Sequence, residues 1–277
     1  MPELPEVETV VRGLQQRLAG RRFREVTLNR PDLRTPMPKG LKSRLEGKRL
    51  ERVGRRAKYI LIYCEGDTVL LAHLGMSGRI VIAEADDKRA RQKHDHAIFT
   101  FDDGAVLAFN DARRFGMIDC VDAAQLRDHR LLRDLGLEPL GPLFNGASLG
   151  KRLAGKRCSI KAALLDQRVV AGLGNIYASE ALYWANISPR RRAGTVAGAR
   201  AEALAEAIRE TLERAIAAGG SSLRDYVQAS GELGYFQHHW AVYGKEGEKC
   251  PRCDCTPGIR RFVQNARSTF YCAKYQR

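Results

Sequence analysis

Residues 59–83 read YILIYCEGDTVLLAHLGMSGRIVIA. Three apolar runs, YILIYC, TVLLAHL and GRIVIA, are separated by Glu65-Gly66-Asp67 and by Gly75-Met76-Ser77. Short runs rich in Ile, Val, Leu and Tyr, broken by Gly and Asp, read as β-strands. The same rhythm continues through HAIFTF (96–101), AVLAFN (105–110) and GMIDCV (116–121), with DDG at 102–104 as a turn. Strand character runs from about residue 22 to 120. Many short strands at close spacing predict a β-sandwich or a barrel. The stretch AEADDKRARQK (83–93) interrupts them as a charged loop.

Upstream, residues 5–19 predict an amphipathic helix, with Val7, Val10, Val11, Leu14 and Leu18 at helical spacing. Pro5 suits its first turn, Glu6 and Glu8 suit the positive end of its dipole, and Gly20 stops it. Downstream, from about 125 to 230, helical patterns take over. The longest is AGARAEALAEAIRETLERAIAAGG (197–220); SIKAALLDQ (159–167) and NIYASEALYWA (175–185) are shorter and are joined by RVVAGLG. A Cys-rich unit closes the chain, with IRRFVQ and RSTFYC flanking Asn265-Ala266 as a hairpin. The fold class is therefore α+β, with a strand-rich first part, a helical second part and a small terminal hairpin.

The chain has 277 residues, 44% of them hydrophobic, which suffices for a buried core and excludes a disordered basic tail. No run reaches the roughly 20 apolar residues of a membrane helix, and no secretory pattern opens the chain, so the expected location is cytoplasmic. The net charge is +15 and is dispersed along the chain. A folded surface with such a charge suits a polyanion, and nucleic acid above all, through counterion release.

Seven cysteines divide into two sets. Cys64, Cys120 and Cys158 are isolated and read as plain buried thiols. Cys250, Cys253, Cys255 and Cys272 crowd the tail. In a reducing compartment such a cluster reads as metal before disulfide, and four thiolates match tetrahedral zinc. The alternative is a set of free thiols.

Other stretches carry chemistry only when read together. With Met1 removed, Pro2 would present a secondary amine at a helix N-terminus, a nucleophile able to form an iminium at an aldehydic carbon. Glu3 beside it would move protons. Taken alone, the same residues are a helix cap. Lys58, where a loop enters the apolar strand YILI, would be a general acid if desolvated, or an ordinary strand-edge lysine. Met76 in HLGMSG, and Arg113 with Phe115 in NDARRFG, put large side chains on tight turns, as a wedge entering a base stack requires. A hydrophobic plug under the loop is the other reading. His94 in KHDH suits a phosphate; a His94/Asp95/His96 metal site lacks a third partner. GLGNIYASE opens a helix with Asn175, a ready phosphate site, and Arg157 and Lys161 lie on the preceding segment.

Together, MPELPEVETVVRGL, RRAKYILI, HLGMSG, KHDH, NDARRFG, GLGNIYASE and QNARSTFYC resemble the formamidopyrimidine-DNA glycosylase family, in order along the whole chain. The resemblance implies an N-terminal β-sandwich flanked by helices (1–124), a helix–two-turn–helix domain (125–240) and a zinc β-hairpin (241–277), with DNA in a basic cleft. It implies a bifunctional glycosylase and AP lyase acting on oxidised purines in double-stranded DNA, as a monomer with one zinc ion. By the same resemblance Pro2 is the nucleophile, Glu3 the proton donor, Lys58 the residue that assists β-elimination and Arg267 the residue of δ-elimination. Met76, Arg113 and Phe115 match the triad that fills the hole left by the flipped base. His94, Arg113 and Arg157 match DNA contacts, and Ser221–Tyr226 the loop over the extruded purine. A related endonuclease VIII-type enzyme acting on oxidised pyrimidines, a non-catalytic DNA-binding zinc protein and an unrelated N-terminal-proline enzyme are the rivals.

One departure stands out. The family's tail ends Cys-x2-Cys, whereas here YCAKYQR puts Tyr275 at the last position. The usual sixteen-residue gap before Cys272 starts at Cys255, not at Cys253. Tyrosine is a poor zinc ligand at neutral pH, so the expected ligand set is Cys250, Cys253, Cys255 and Cys272.

Overall fold

A computed structural model describes residues 1–87, 91–221, 235–256 and 258–277. Part of the charged loop and residues 222–226 of the expected purine-covering loop thus lie outside the described residues. In chain order the helices and strands are α1 (Leu4–Leu18), β1 (Phe23–Leu28), α2 (Leu41–Leu45), β2 (Leu50–Arg56), β3 (Tyr59–Cys64), β4 (Thr68–His73), β5 (Gly78–Ala83), β6 (Asp95–Phe101), β7 (Val106–Asp111), β8 (Met117–Asp122), α3 (Gly146–Leu153), α4 (Ile160–Leu165), α5 (Asn175–Trp184), α6 (Ala199–Ala217), β9 (Arg260–Gln264) and β10 (Arg267–Tyr271). The chain divides into two compact units, 1–133 with 218–235, and 134–217 with 236–277.

In the first unit two four-stranded antiparallel sheets, ordered β1-β6-β7-β5 and β2-β3-β4-β8, share one apolar core. The architecture is a sandwich, not a barrel. Phe23, Phe99, Phe101 and Phe109 from one sheet meet Ile60, Ile62 and Leu70 from the other. Each such buried side chain contributes about 1.5–3 kcal/mol. α1 lays Val7, Val10, Val11, Leu14 and Leu18 on the same core. It starts one residue earlier than expected, because Glu3 takes the N-cap position. Strands β1 and β2 are sheet edges, and each has a backbone N–H satisfied by a side chain: Val26 donates to Glu46 Oε1 (2.9 Å) and Val53 to Gln15 Oε1 (2.6 Å). That blunts the edge as a pairing template.

In the second unit α5 is buried on nearly every side, from Ile176 through Tyr183. α3 and α6 pack on each other, and α6 also packs on α5. Gln167 shapes the α4–α5 connection: its side-chain amide donates to the carbonyls of Leu165 (3.2 Å) and Leu173 (2.8 Å) and accepts from Gly172 N–H (2.9 Å). Strands β9 and β10 form the expected hairpin, with Asn265 and Ala266 both left-handed at its turn (φ +50° and +57°). Cys64 and Cys120 are buried as expected, and burial pushes the Cys64 thiol up to about 12. Cys158 is exposed, contrary to the sequence reading, because it sits in the loop just before the Ser159 N-cap of α4.

Candidate active site and metal centre

At the head of α1, Pro2 and Glu3 are both buried. The Glu3 N–H donates to Glu6 Oε2 (2.8 Å), the reciprocal half of a capping box. The other oxygen of Glu6, Oε1, accepts from Ser221 N–H (2.8 Å), so this buried carboxylate ties the chain start to the segment after α6. Glu8, one turn on, bridges Arg12 and Arg55, both at 2.9 Å. Burial alone would raise the Glu8 carboxyl, but hydrogen bonds from Arg55 and then Arg12 hold it below its ordinary value. Arg55 also donates to the Ala57 carbonyl (2.9 Å), and Ala57 is left-handed (φ +53°). These contacts position the next residue, Lys58, which is buried. His73, paired with Tyr59 across β3 and β4, lies close enough to feel that ammonium. Desolvation, then the charges of Lys58 and Arg34, lower its pKa to about 4. Its Nδ1 accepts the Gly75 N–H (3.0 Å).

The two turns that carry Met76 and Arg113–Phe115 meet. Met76 and Phe115 are 39% and 42% exposed. The Arg113 guanidinium lies 5.0 Å from the centre of the Phe115 ring. Gly75 (φ +60°) lets the Met76 turn touch the other: a Cβ there would lie 2.3 Å from the Phe115 carbonyl carbon. KHDH is a structural knot. Asp95 accepts from Asn110 Nδ2 and Gln92 N–H (both 2.8 Å), His96 Nε2 bonds the Asp111 carbonyl (2.8 Å) and the His94 carbonyl accepts the Asp111 N–H (3.0 Å). His94, Asp95 and His96 do not gather as a metal site among the described residues.

In the second unit Arg157 and Arg267 are exposed. Lys161 is not: it is 1% exposed, and its ammonium donates to Ser268 O (3.0 Å) and Thr269 Oγ1 (2.7 Å) of the hairpin. Asn175, the first residue of α5, donates through Nδ2 to Ser268 O (2.9 Å), and its Oδ1 is buried with no partner among the described residues. Gln264 Nε2 donates to Ser159 Oγ (2.6 Å). The hairpin turn carrying Arg267 is thus tethered to α4 and α5. Glu180 of α5 is fully buried and accepts three backbone N–H groups, from Ala241, Val242 and Tyr243 (2.8–3.0 Å). Burial pushes its carboxyl up, and those three donors pull it back.

Cys250, Cys253, Cys255 and Cys272 bring their sulfurs within 4.8 Å of one another. A tetrahedral ion with Zn–S bonds of about 2.3 Å needs sulfurs about 3.8 Å apart, so the four fit zinc. Tyr183 O–H lies 3.4 Å from Cys250 Sγ. Burial would raise the Cys250 thiol, but hydrogen bonds from Tyr183 and the Arg252 backbone bring it down to about 7, as a thiolate ligand needs. Tyr275 packs beside the cluster with the Arg252 guanidinium 4.3 Å from its ring centre.

Three of these residues escaped the sequence reading of the site. Glu6 had a usable signal, its capping-box offset from Glu3. Glu180 had one too, as the lone acid in a helix otherwise apolar on every face. His73 had none, since its partners come from the fold.

Residues 1–118 match the formamidopyrimidine-DNA glycosylase N-terminal domain and residues 135–227 the formamidopyrimidine-DNA glycosylase H2TH domain. The chain is 55% identical to a formamidopyrimidine-DNA glycosylase of Rhodospirillum centenum, covering 100% of both chains. It is similar to the Lactococcus lactis Fpg crystallised in complex with DNA containing an abasic site (35% identity, TM-score 0.89, 99% of both chains). It is similar also to the MutM (Fpg) protein of Thermus thermophilus (38% identity, TM-score 0.87, 99% of this chain and 98% of that one). The chain belongs to the formamidopyrimidine-DNA glycosylase family.

Proposed function

We propose that the protein is a bifunctional DNA glycosylase and AP lyase of base-excision repair, excising 8-oxoguanine and formamidopyrimidines from double-stranded DNA. The observation that carries the reading is the buried Pro2-Glu3 pair at the head of α1, in a chain that matches a member of this family over the whole of that relative's length. With Met1 removed, the Pro2 amine attacks C1′ and the damaged base leaves with the bonding electrons. The proline nitrogen gives up its proton, and Glu3 protonates O4′ as the C1′–O4′ bond breaks, which opens the sugar ring and leaves an iminium at C1′. The resulting iminium acidifies the C2′ hydrogen; its loss expels the 3′ phosphate. A second proton loss, from C4′, expels the 5′ phosphate, and water releases the sugar remnant. Lys58 and Arg267 assist these two eliminations. A one-nucleotide gap with phosphates at both ends remains.

Met76, Arg113 and Phe115 fill the space left by the extruded nucleotide, and His94 and Arg157 meet DNA phosphates. Lys161 and Asn175 serve the DNA-facing surface by holding the Arg267 turn. Cys250, Cys253, Cys255 and Cys272 hold zinc, which when bound cross-links the hairpin base without entering the chemistry. Residues 1–124 carry the nucleophile, 125–240 the helical DNA-binding part and 241–277 the zinc hairpin. The net charge of +15 suits DNA, and no described helix is long and apolar enough to cross a membrane. The enzyme acts as a cytoplasmic monomer.

Borohydride trapping tests the reading. Protein, a duplex with one 8-oxoguanine opposite cytosine, and borohydride are expected to give a 1:1 cross-link on the N-terminal proline, located by peptide mass spectrometry. A cross-link on Lys58, or none despite base release, overturns the assignment of Pro2. Faster excision of oxidised pyrimidines in the same assay overturns the purine preference.

A further inference from the structure

We propose that Asp111, acting with Ser77, is the positioning residue that joins the Met76 turn and the Arg113–Phe115 turn into one rigid wedge; the inference rests on the wedge reading above. Asp111 ends β7 and is fully buried. Its Oδ1 accepts the Ser77 O–H (2.6 Å) and the Arg113 N–H (3.3 Å), and its Oδ2 accepts the Gly116 N–H (2.8 Å). Ser77 Oγ in turn accepts the Arg113 N–H (3.1 Å). One carboxylate therefore holds the residue after Met76 and both ends of the segment carrying Arg113 and Phe115.

The chemistry of the bracket is specific to a carboxylate. Every group aimed at it is a donor, and a carboxylate only accepts. The amide of asparagine would place an N–H₂ against one of those donors and leave a buried donor unpaired. The backbone of Asp111 is itself pinned, its N–H by the His94 carbonyl (3.0 Å) and its carbonyl by His96 Nε2 (2.8 Å), which must donate. The surroundings leave the turns no room to drift. A Cβ at Gly75 would strike the Phe115 backbone at 2.3 Å, and one at Gly116 would meet the Phe109 ring at 2.6 Å.

The bracket explains how two large apolar tips stay in solvent. Unrestrained, Met76 and Phe115 would fold back onto apolar surface to escape water. Holding their backbones by buried polar bonds keeps the tips presented, and so lowers the ordering cost when they enter a base stack.

A duplex with 2-aminopurine beside the lesion reports wedge entry as a fluorescence change on unstacking. Wild type is compared with Met76→Ala, Asp111→Asn, Ser77→Ala and Ser77→Thr. Cleavage of a single-stranded abasic oligonucleotide, which offers no stack to enter, is measured in parallel. Asp111→Asn and Ser77→Ala are expected to suppress the fluorescence change and lower kcat/KM on duplex about tenfold, through KM more than kcat. The loss is confined to duplex substrate, and Ser77→Thr, which restores the hydroxyl, recovers it. If Asp111→Asn fails to fold, the Ser77 pair decides the matter alone. A wild-type response in Asp111→Asn and Ser77→Ala, with Met76→Ala silent, overturns the bracket. A wild-type response in Met76→Ala overturns the wedge reading itself.

Discussion

The Met76 turn and the Arg267 turn meet the same demand by different means. Both hold an exposed side chain on left-handed backbone, Gly75 at φ +60° in one and Asn265-Ala266 at +50° and +57° in the other. The Met76 turn grows from a sandwich with a large apolar core, and a buried carboxylate and a histidine nitrogen finish it. The Arg267 turn grows from only two strands. A lone hairpin is barely stable in water, so this one is stapled by the Lys161 ammonium, the Asn175 amide and the four thiols. A turn grown from a hydrophobic core stays folded when one polar partner is lost, and only the placement of its exposed tips suffers. A turn fixed by staples depends on each.

The sharpest test removes the zinc proposed for the four thiols. Chelation, or Cys272→Ser, is expected to abolish strand scission and to free the amides of β9 and β10 to exchange, while the amides of β3, β4 and β7 keep their protection. Structural zinc contributes on the order of 10 kcal/mol to folding in small domains. Elemental analysis should give one zinc per chain, and Cys255→Ser should lose it as fully as Cys253→Ser. Tight zinc in Cys255→Ser would remove that residue from the ligand set. Equal loss of protection in the sandwich would erase the contrast between the two turns.

Acid is expected to act on the other turn. The folded-state pKa of His73 is lowered to about 4 from 6.5, by desolvation first and by Lys58 and Arg34 next; Tyr59 packs on its ring at 4.9 Å. The unfolded chain thus binds a proton that the folded chain refuses between pH 6.5 and about 4. Stability is full above pH 6.5 and falls as pH drops through that window, by about 3 kcal/mol in total. Urea unfolding at pH 7 and at pH 4.5 measures it. In His73→Asn, whose side-chain oxygen can still accept the Gly75 N–H, the difference should shrink by about 2.5 kcal/mol, the share of the total reached by pH 4.5. An unchanged difference would mean the histidine titrates as if exposed.

Lys161→Met should cost about 2 kcal/mol, since two hydrogen bonds to a charged donor are lost while its desolvation is relieved. Faster amide exchange at Ser268 and Thr269, with β3 and β4 unchanged, would place the cost at the hairpin. Lys161 also shows where sequence reasoning stops. A lysine near an arginine on a basic chain suggests a phosphate contact, and nothing local announces the hairpin backbone that takes its ammonium. The strands from Tyr59 onward were legible because both faces are apolar. β1 and β2 are edge strands in which only Phe23, Val26, Leu50 and Val53 are buried, so no run marks them. α3 owes its start to an Asn145 cap and carries two glycines, a weak helical signal. The cysteines were legible by spacing alone, because three lie within six residues and the hairpin has to return the fourth.

The smallest expected effect decides what replaced the missing cysteine. Tyr275 lies beside the thiols, and its ring faces the Arg252 guanidinium at 4.3 Å. Arg252 is fixed by a hydrogen bond to Asn186 Oδ1 (2.9 Å). A partly exposed cation–π contact contributes about 0.5–1 kcal/mol. If the ring is only a wall of the site, Tyr275→Phe keeps both the contact and the metal, and Arg252→Ala lowers stability by that small amount without changing zinc content. If the phenol oxygen is a ligand, Tyr275→Phe releases zinc as readily as a cysteine substitution does. The chain would then hold its metal with three thiolates and one oxygen, and Cys255 or another cysteine would stand outside the set.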